Sequence, residues 1–567
     1  MKKLESIKKI NIFSFLILLF SIILSNSFIN LYYLSTLSPD FNRYGTYLSY
    51  FLEPGGEIFS EQGVLYYFII SLFTFINIKD FNLSEENSIK NLGNSENLNL
   101  LYVSDFEVSV STAIQTGNLF LFIVGLFGLF KFLKMKNLEN HKIYIVLSLL
   151  VFFPPSLQMR LTLKPEVLGF ALLPWALYYF ISYTDKKSIF VFIKLLFIIP
   201  IIFTAKASIT AMVGIFLLTL IYQYRDKISF KEIAVFILIS SFIFSILYIE
   251  NTNVINRSFF ERDDLKQIYN QTEYNNVADP KIFYNINFRD LIKHPESHYH
   301  SDSIIGITLI DTFGDYFNEY WDKDYTLSKK YRKNFIQPSE TYRFDSSNQI
   351  IYLKNWNFNL DYLRNITSLL LSVLFFILSI YFGVIKNASK LLLFSPVIGI
   401  LVLIINSLGF PEYNFYPDTA DTFKTFYYSF FLTLCFVELL RNLIITKFPF
   451  KKFLIFIYIF LICFVTGFPK ENNTELDYAL SNINKNTSSC FLNQAYLEYS
   501  LIERDGISCT KNINEIYQQK NFNIHHVPKI NTTIFTIFII FLITEIKFFN
   551  QYLKLKDIRL RKRFSIS

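Results

Sequence analysis

Two acids stand where proton transfer at a membrane surface would need them. Asp40 lies in Ser38-Pro39-Asp40-Phe41-Asn42-Arg43-Tyr44, directly after the first apolar run, and Glu61 lies in Ser60-Glu61-Gln62-Gly63-Val64-Leu65-Tyr66-Tyr67. A carboxylate at the exit of a membrane helix sits at headgroup level, where it can take the proton of an attacking hydroxyl. Asp40 is the better placed of the two, and the bland reading of both is a solvated loop acid. Cations at the same level supply the complement. Arg160, Lys164 and Glu166 fall in Gln158-Met159-Arg160-Leu161-Thr162-Leu163-Lys164-Pro165-Glu166, and Lys206 falls in Phe203-Thr204-Ala205-Lys206-Ala207-Ser208. Such cations can hold a phosphate as it leaves. Their alternative is snorkelling to headgroups. A helix starting at Asp418 would put Asp418, Asp421, Lys424 and Tyr428 on one face. Lys424 would then face a phosphate, or simply form a local ion pair. Tyr44 and Tyr66 would frame a sugar, and Asp315, beside Asp311 and Gly314, would contact substrate.

Other chemistries find less support. His294, His298 and His300 contain an H-x-x-x-H spacing, but Pro295 disrupts the helix that a zinc pair needs. No metal centre is expected from them. No cofactor motif is present, and only Asp311 and Asp315 leave a divalent cation open. Cys490 and Cys509 lie together in the last outer loop and are a disulfide candidate in an oxidising compartment. Cys435 and Cys463 fall within predicted helices as packing residues. There is no phosphate-binding glycine loop and no nucleophile elbow.

The elements that position these residues are apolar helices. Of 567 residues, 52% are hydrophobic, with 65 Phe and 37 Tyr. Apolar runs of about 20 residues recur, each long enough to cross a bilayer. Spans are predicted at about 11–33, 113–133, 143–157, 167–183, 188–204, 206–222, 230–249, 364–385, 391–410, 426–445, 453–468 and 532–549. The net charge of +8 does not point to nucleic acid, because the basic residues fall in short loops on one side. Lys131, Lys134, Lys136, Lys186, Lys187, Lys227, Arg441 and the tail Lys554–Arg563 all become cytoplasmic, as the positive-inside rule requires. This predicts an all-α multi-pass protein of about 12 transmembrane helices, with both termini inside and large loops outside. The first outer loop, 34–112, contains an apolar piece at 64–78, read as an interfacial helix.

The predicted division is an N-terminal transmembrane module 1–249, a large outer loop 250–363, transmembrane helices 364–468, an outer loop 469–531, and a last helix with basic tail 532–567. On Asp40-Phe41-Asn42-Arg43-Tyr44 and Gly63-Val64-Leu65-Tyr66-Tyr67, the chain resembles the GT-C superfamily of membrane glycosyltransferases. More narrowly, it is similar to the bacterial branch near protein O-mannosyltransferases and the aminoarabinose transferases of lipid A. Pro39-Asp40 stands where that family has an adjacent acidic pair, and the second motif lacks the family's proline pair. The resemblance implies about seven shared N-terminal helices, a large outer loop and a variable C-terminal set. It also implies a multi-pass protein of the bacterial inner membrane whose site faces the periplasm. The expected reaction moves a sugar from a polyprenyl-phosphate donor to a hydroxyl on a glycan, lipid or protein acceptor. An O-antigen ligase or polymerase, and a transporter of polysaccharide or lipid, are the competing classes.

Overall fold

The computed structural model describes residues 2–32, 35, 41–52, 64–77, 89, 105–255, 283–293, 303–314, 340–344, 350–354, 358–385, 389–409 and 425–445. The first half of the chain forms α1 (Lys2–Tyr32), α2 (Phe41–Leu52), α3 (Val64–Asn77), α4 (Asp105–Met135), α5 (Asn140–Val151), α6 (Pro154–Leu161), α7 (Glu166–Lys186), α8 (Ile189–Phe203), α9 (Ala207–Gln223) and α10 (Phe230–Ile255). Two short helices follow, α11 (Phe288–Lys293) and α12 (Ile304–Asp311), then an antiparallel hairpin in which Glu340–Phe344 pairs with Ile350–Lys354. The last helices are α13 (Phe358–Ile380), running into a π turn at Tyr381–Ile385, then α14 (Lys390–Leu393), α15 (Ser395–Gly409) and α16 (Ser429–Ile445), the last entered through a 3-10 turn at Thr425–Tyr428.

Five of the described helical segments are long and apolar enough to cross a membrane: Ile10–Ser27, Ser109–Met135, Glu166–Lys186, Ile366–Val384 and Thr425–Ile445. Their outer faces, and those of α8 and α10, carry exposed large apolar residues such as Phe15, Phe127, Phe190, Phe197, Leu238 and Phe242. In water such faces would be costly; against acyl chains they are the expected surface. This is a helical membrane protein. The predicted spans at 453–468 and 532–549 lie outside the described residues, as does Cys463.

One predicted span is broken rather than continuous. The run at 143–157 is not one helix but α5 and α6, bent by 64°. Proline is the cause. Pro154 and Pro155 open α6 and cannot continue the hydrogen bonding of α5, and the residue before a proline is driven out of the helical region. Phe153 accordingly sits at φ −65°, ψ 127°. All eight residues of α6 are buried, so the bend turns the chain into the bundle.

Close packing fixes the helix that follows. A Cβ on Gly125 would lie 2.5 Å from the Phe170 ring and 2.8 Å from its carbonyl oxygen. One on Gly128 would lie 2.9 Å from Trp175. Glycine on α4 thus lets α7 approach its backbone, as membrane helix pairs commonly require. The Trp175 indole donates to Val124 O at 2.9 Å, and Phe122 stacks on Phe170 at 4.9 Å. Helix α16 is almost wholly buried. Its Phe436 stacks on Phe153 at 4.3 Å, and Cys435 packs inside with its thiol on Leu393 O. The segment around α12, predicted within an outer loop, returns to this core. Ser303 caps α12 by accepting from Gly306 N at 2.9 Å, and Phe313 meets Phe153 edge-on at 5.2 Å.

Polar groups collect at both ends of α7, about 30 Å apart for a helix of this length. At its C-terminal end Lys187 and Tyr183 both donate to Glu232, at 2.8 and 2.6 Å. Ser229 and Glu232 form a reciprocal capping box at the start of α10. Lys227 pairs with Asp185 at 3.2 Å. The same level holds Arg441, whose guanidinium grips Glu438 through Nε and Nη2 at 2.8 and 2.6 Å. The opposite end holds the residues singled out for chemistry.

Candidate functional site

The turn between α6 and α7 brings Lys164 and Glu166 to one place, and the turn between α8 and α9 brings Lys206 there. Lys206 occupies the N-cap position of α9 in extended backbone, φ −170°. Its ammonium lies 2.8 Å from Glu166 Oε1, with the two side chains 9% and 3% exposed. The second oxygen, Glu166 Oε2, is buried without a hydrogen-bond partner among the described residues.

Aromatic rings surround the two lysines. Lys164 Nζ sits 3.4 Å from the centroid of Phe426 and 5.7 Å from that of Tyr44. Lys206 Nζ sits 5.1 Å from Tyr427 and 5.8 Å from Tyr44. Ammonium groups are attracted to ring faces, more strongly where water is excluded. The rings arrive from two directions: Tyr44 from the first turn of α2, and Phe426 and Tyr427 from the 3-10 turn before α16. Tyr44 stacks on Tyr67 of α3 at 6.5 Å, and Tyr67 meets Tyr66 and Tyr47 at 5.0 and 5.3 Å.

Tyr66 anchors this wall. Its hydroxyl donates to Asn118 Oδ1 at 2.8 Å, and the Asn118 amide donates to the carbonyls of Arg160 and Thr162 at 3.1 and 2.8 Å. The chain from α3 through α4 therefore pins the turn that carries Lys164. Ser35, buried, donates to Leu161 O at 2.6 Å. This ties the segment between α1 and α2 to the same turn.

Of the residues predicted to bind phosphate, Lys164 and Lys206 meet and Arg160 does not join them as a free cation. The Arg160 side chain is fully buried. Its Nε donates to Ser156 O at 3.1 Å, Nη1 to Ser25 Oγ at 2.7 Å and Nη2 to Val151 O at 2.6 Å, and the group lies over the Phe122 ring at 4.8 Å. Val151 ends α5, where the bend leaves carbonyls without helical donors. Arg160 thus braces the bend that aims the α6–α7 turn.

Tyr44, Tyr66 and Glu166, predicted to contact substrate, all lie in this cluster. Asp40, Glu61, Asp315, Asp418, Asp421, Lys424, Cys490 and Cys509 lie outside the described residues, as do His294, His298 and His300. Tyr428, predicted to share a face with Asp418, is buried and faces Thr308 at 3.3 Å. Sequence reasoning missed Phe426, Tyr427, Tyr67 and Asn118. The run Thr425-Phe426-Tyr427-Tyr428 at a helix entrance was the signal for the first two.

A scan against protein-family models and searches of curated proteins and of solved structures return no match. The fold and the cluster define a helical membrane protein with two lysines and a glutamate buried at one end of the bundle.

Proposed function

We propose that this protein is an inverting membrane glycosyltransferase using a polyprenyl-phosphate-linked sugar. In this reading the bundle is the bacterial inner-membrane unit of about 12 transmembrane helices, with the cluster facing the periplasm. Lys164 and Lys206 hold the donor phosphate. Asp40 takes the proton of an acceptor hydroxyl, on a glycan, lipid or protein, as its oxygen attacks the anomeric carbon. The bond from that carbon to the phosphate oxygen breaks, and polyprenyl phosphate leaves with the electron pair. Glu61 and Lys424 stay secondary candidates for base and phosphate contact.

The observation that carries the reading is the convergence of Lys164, Lys206 and Glu166 around Tyr44, only four positions after Asp40. Ammonium groups held against aromatic faces at one end of a membrane bundle are chemistry suited to a sugar phosphate. A ligase-like reading would want a free arginine at this level, but Arg160 is committed to Ser25, Val151 and Ser156.

The test is transfer of labelled sugar from a panel of polyprenyl-phosphate sugars by the purified full-length chain, beside Asp40→Asn. The expected result is product from the parent, and a drop of about 100- to 10,000-fold in the variant, the usual scale for a lost general base. Equal rates would remove Asp40 as the base. No transfer from any donor in the presence of membrane extract as acceptor would favour the transporter class.

A further inference from the structure

The group left unexplained is Glu166 Oε2. A phosphate has no use for it, since both are acceptors. Yet it is enclosed beside the lysines and takes no hydrogen bond from any described residue. Leaving a buried acceptor unpaired costs about 1–3 kcal/mol, more when it is charged. A second group of the same wall is also unsatisfied: the Tyr67 hydroxyl is buried with no partner among the described residues. Tyr67 stacks on Tyr44, the ring that lies under both ammonium groups.

We infer that Glu166 Oε2, with the Tyr67 hydroxyl of the same aromatic wall, is a carbohydrate-hydroxyl subsite that reads the sugar next to the phosphate held by Lys206. The chemistry is that of a sugar hydroxyl: a carboxylate to accept from it and a phenol that can donate or accept. Lys206 joins the two halves. Its ammonium has three donors; one bonds Glu166 Oε1, and the others remain for a phosphate oxygen. A donor's sugar and phosphate are covalently linked, so the same lysine touching both halves favours the donor sugar over the acceptor's hydroxyl.

Glu166→Gln isolates the role. Lysine is only a donor, so the Gln carbonyl keeps the Lys206 bond and its NH2 takes the place of Oε2. An acceptor becomes a donor with the fold's ion contact replaced by a hydrogen bond. Binding to full-length protein in detergent would be measured for undecaprenyl phosphate and for its glucose, mannose and arabinose phosphodiesters. The parent should bind at least one sugar ester tighter than the bare phosphate. Glu166→Gln and Tyr67→Phe should each weaken that ester by about 10- to 100-fold, the scale of a hydrogen bond to a charged group, while bare phosphate binding is unchanged or tighter.

Equal loss of both ligands in folded variants would make Glu166 a purely structural partner of Lys206 and overturn the inference. So would unchanged ester binding. This inference rests on the donor-phosphate reading, and the two fail differently. If the parent binds no phosphate ligand, that reading falls, and methyl glycosides observed by saturation-transfer NMR then test the subsite alone. A glycoside signal lost in Glu166→Gln supports a subsite for the acceptor's sugar instead; no signal in the parent overturns the subsite.

Discussion

Changing Lys206 to Met is expected to destabilise the protein by about 3–5 kcal/mol, the usual cost of stranding one half of a buried ion pair. Glu166, only 2% exposed, would be left as a carboxylate without its ammonium. The paired change Lys206→Met with Glu166→Leu removes both charges and should recover most of the stability, because a well-packed apolar pair often matches a buried salt bridge. Thermal unfolding in detergent measures both. Binding separates what stability joins. The double variant should fold and still fail to hold undecaprenyl phosphate, if Lys206 is a phosphate ligand. A double variant that folds and binds like the parent would remove Lys206 from the site.

The second large effect is expected at Arg160. Arg160→Met withdraws donors from Ser25 Oγ, Val151 O and Ser156 O at once. Ser25 Oγ keeps its bond to Ile22 O and Ser156 lies within α6, but Val151 O faces Pro155, which has no N–H, so stranding it should cost about 1–3 kcal/mol. Arg160→Lys should rescue only in part, since one ammonium cannot reproduce the planar fork. The readout is unfolding temperature against transfer activity per folded molecule. A brace lowers the first and largely spares the second. A phosphate ligand would do the reverse, so a stable but inactive Arg160→Met would return Arg160 to the donor site.

These expectations show what the sequence made legible. Most helices were visible as apolar runs, because lipid-facing and packed faces are both apolar and the run length is set by the bilayer. The helices at 105–135, 166–186 and 429–445 lie close to the predicted spans. The 143–157 run misled for a local reason: its hydropathy is continuous across Pro154-Pro155, and hydropathy does not register a bend. That bend decides the site. It turns α6 inward, so that Arg160, although near Lys164 in sequence, points into the bundle while Lys164 joins Lys206. Spacing alone made all three look equivalent. The Glu166–Lys206 pair spans two separate helix junctions, and no local pattern announces such a meeting. The aromatic wall was half legible: Tyr44 and Tyr66 came from their motifs, whereas Phe426 and Tyr427 read as ordinary entrance residues.

The two ends of α7 also differ in how their charges meet water. Lys187 and Glu232 are 43% and 27% exposed, and Lys227 and Asp185 are 54% and 47% exposed. The Lys206–Glu166 pair is 9% and 3% exposed. Raising ionic strength from 0.15 to 1 M shortens the screening length from about 8 to about 3 Å, but that acts on charges that ions can approach. The ion pairs at the two ends of α7 are therefore electrically unequal: Lys187–Glu232 and Lys227–Asp185 are salt-labile and Lys206–Glu166 is salt-fast. Concentrated salt should loosen the junction of α7, α8 and α10 and leave the Lys206–Glu166 contact intact. Hydrogen exchange followed along the chain in low and high salt would register this as faster exchange confined to residues near 185–187 and 227–232.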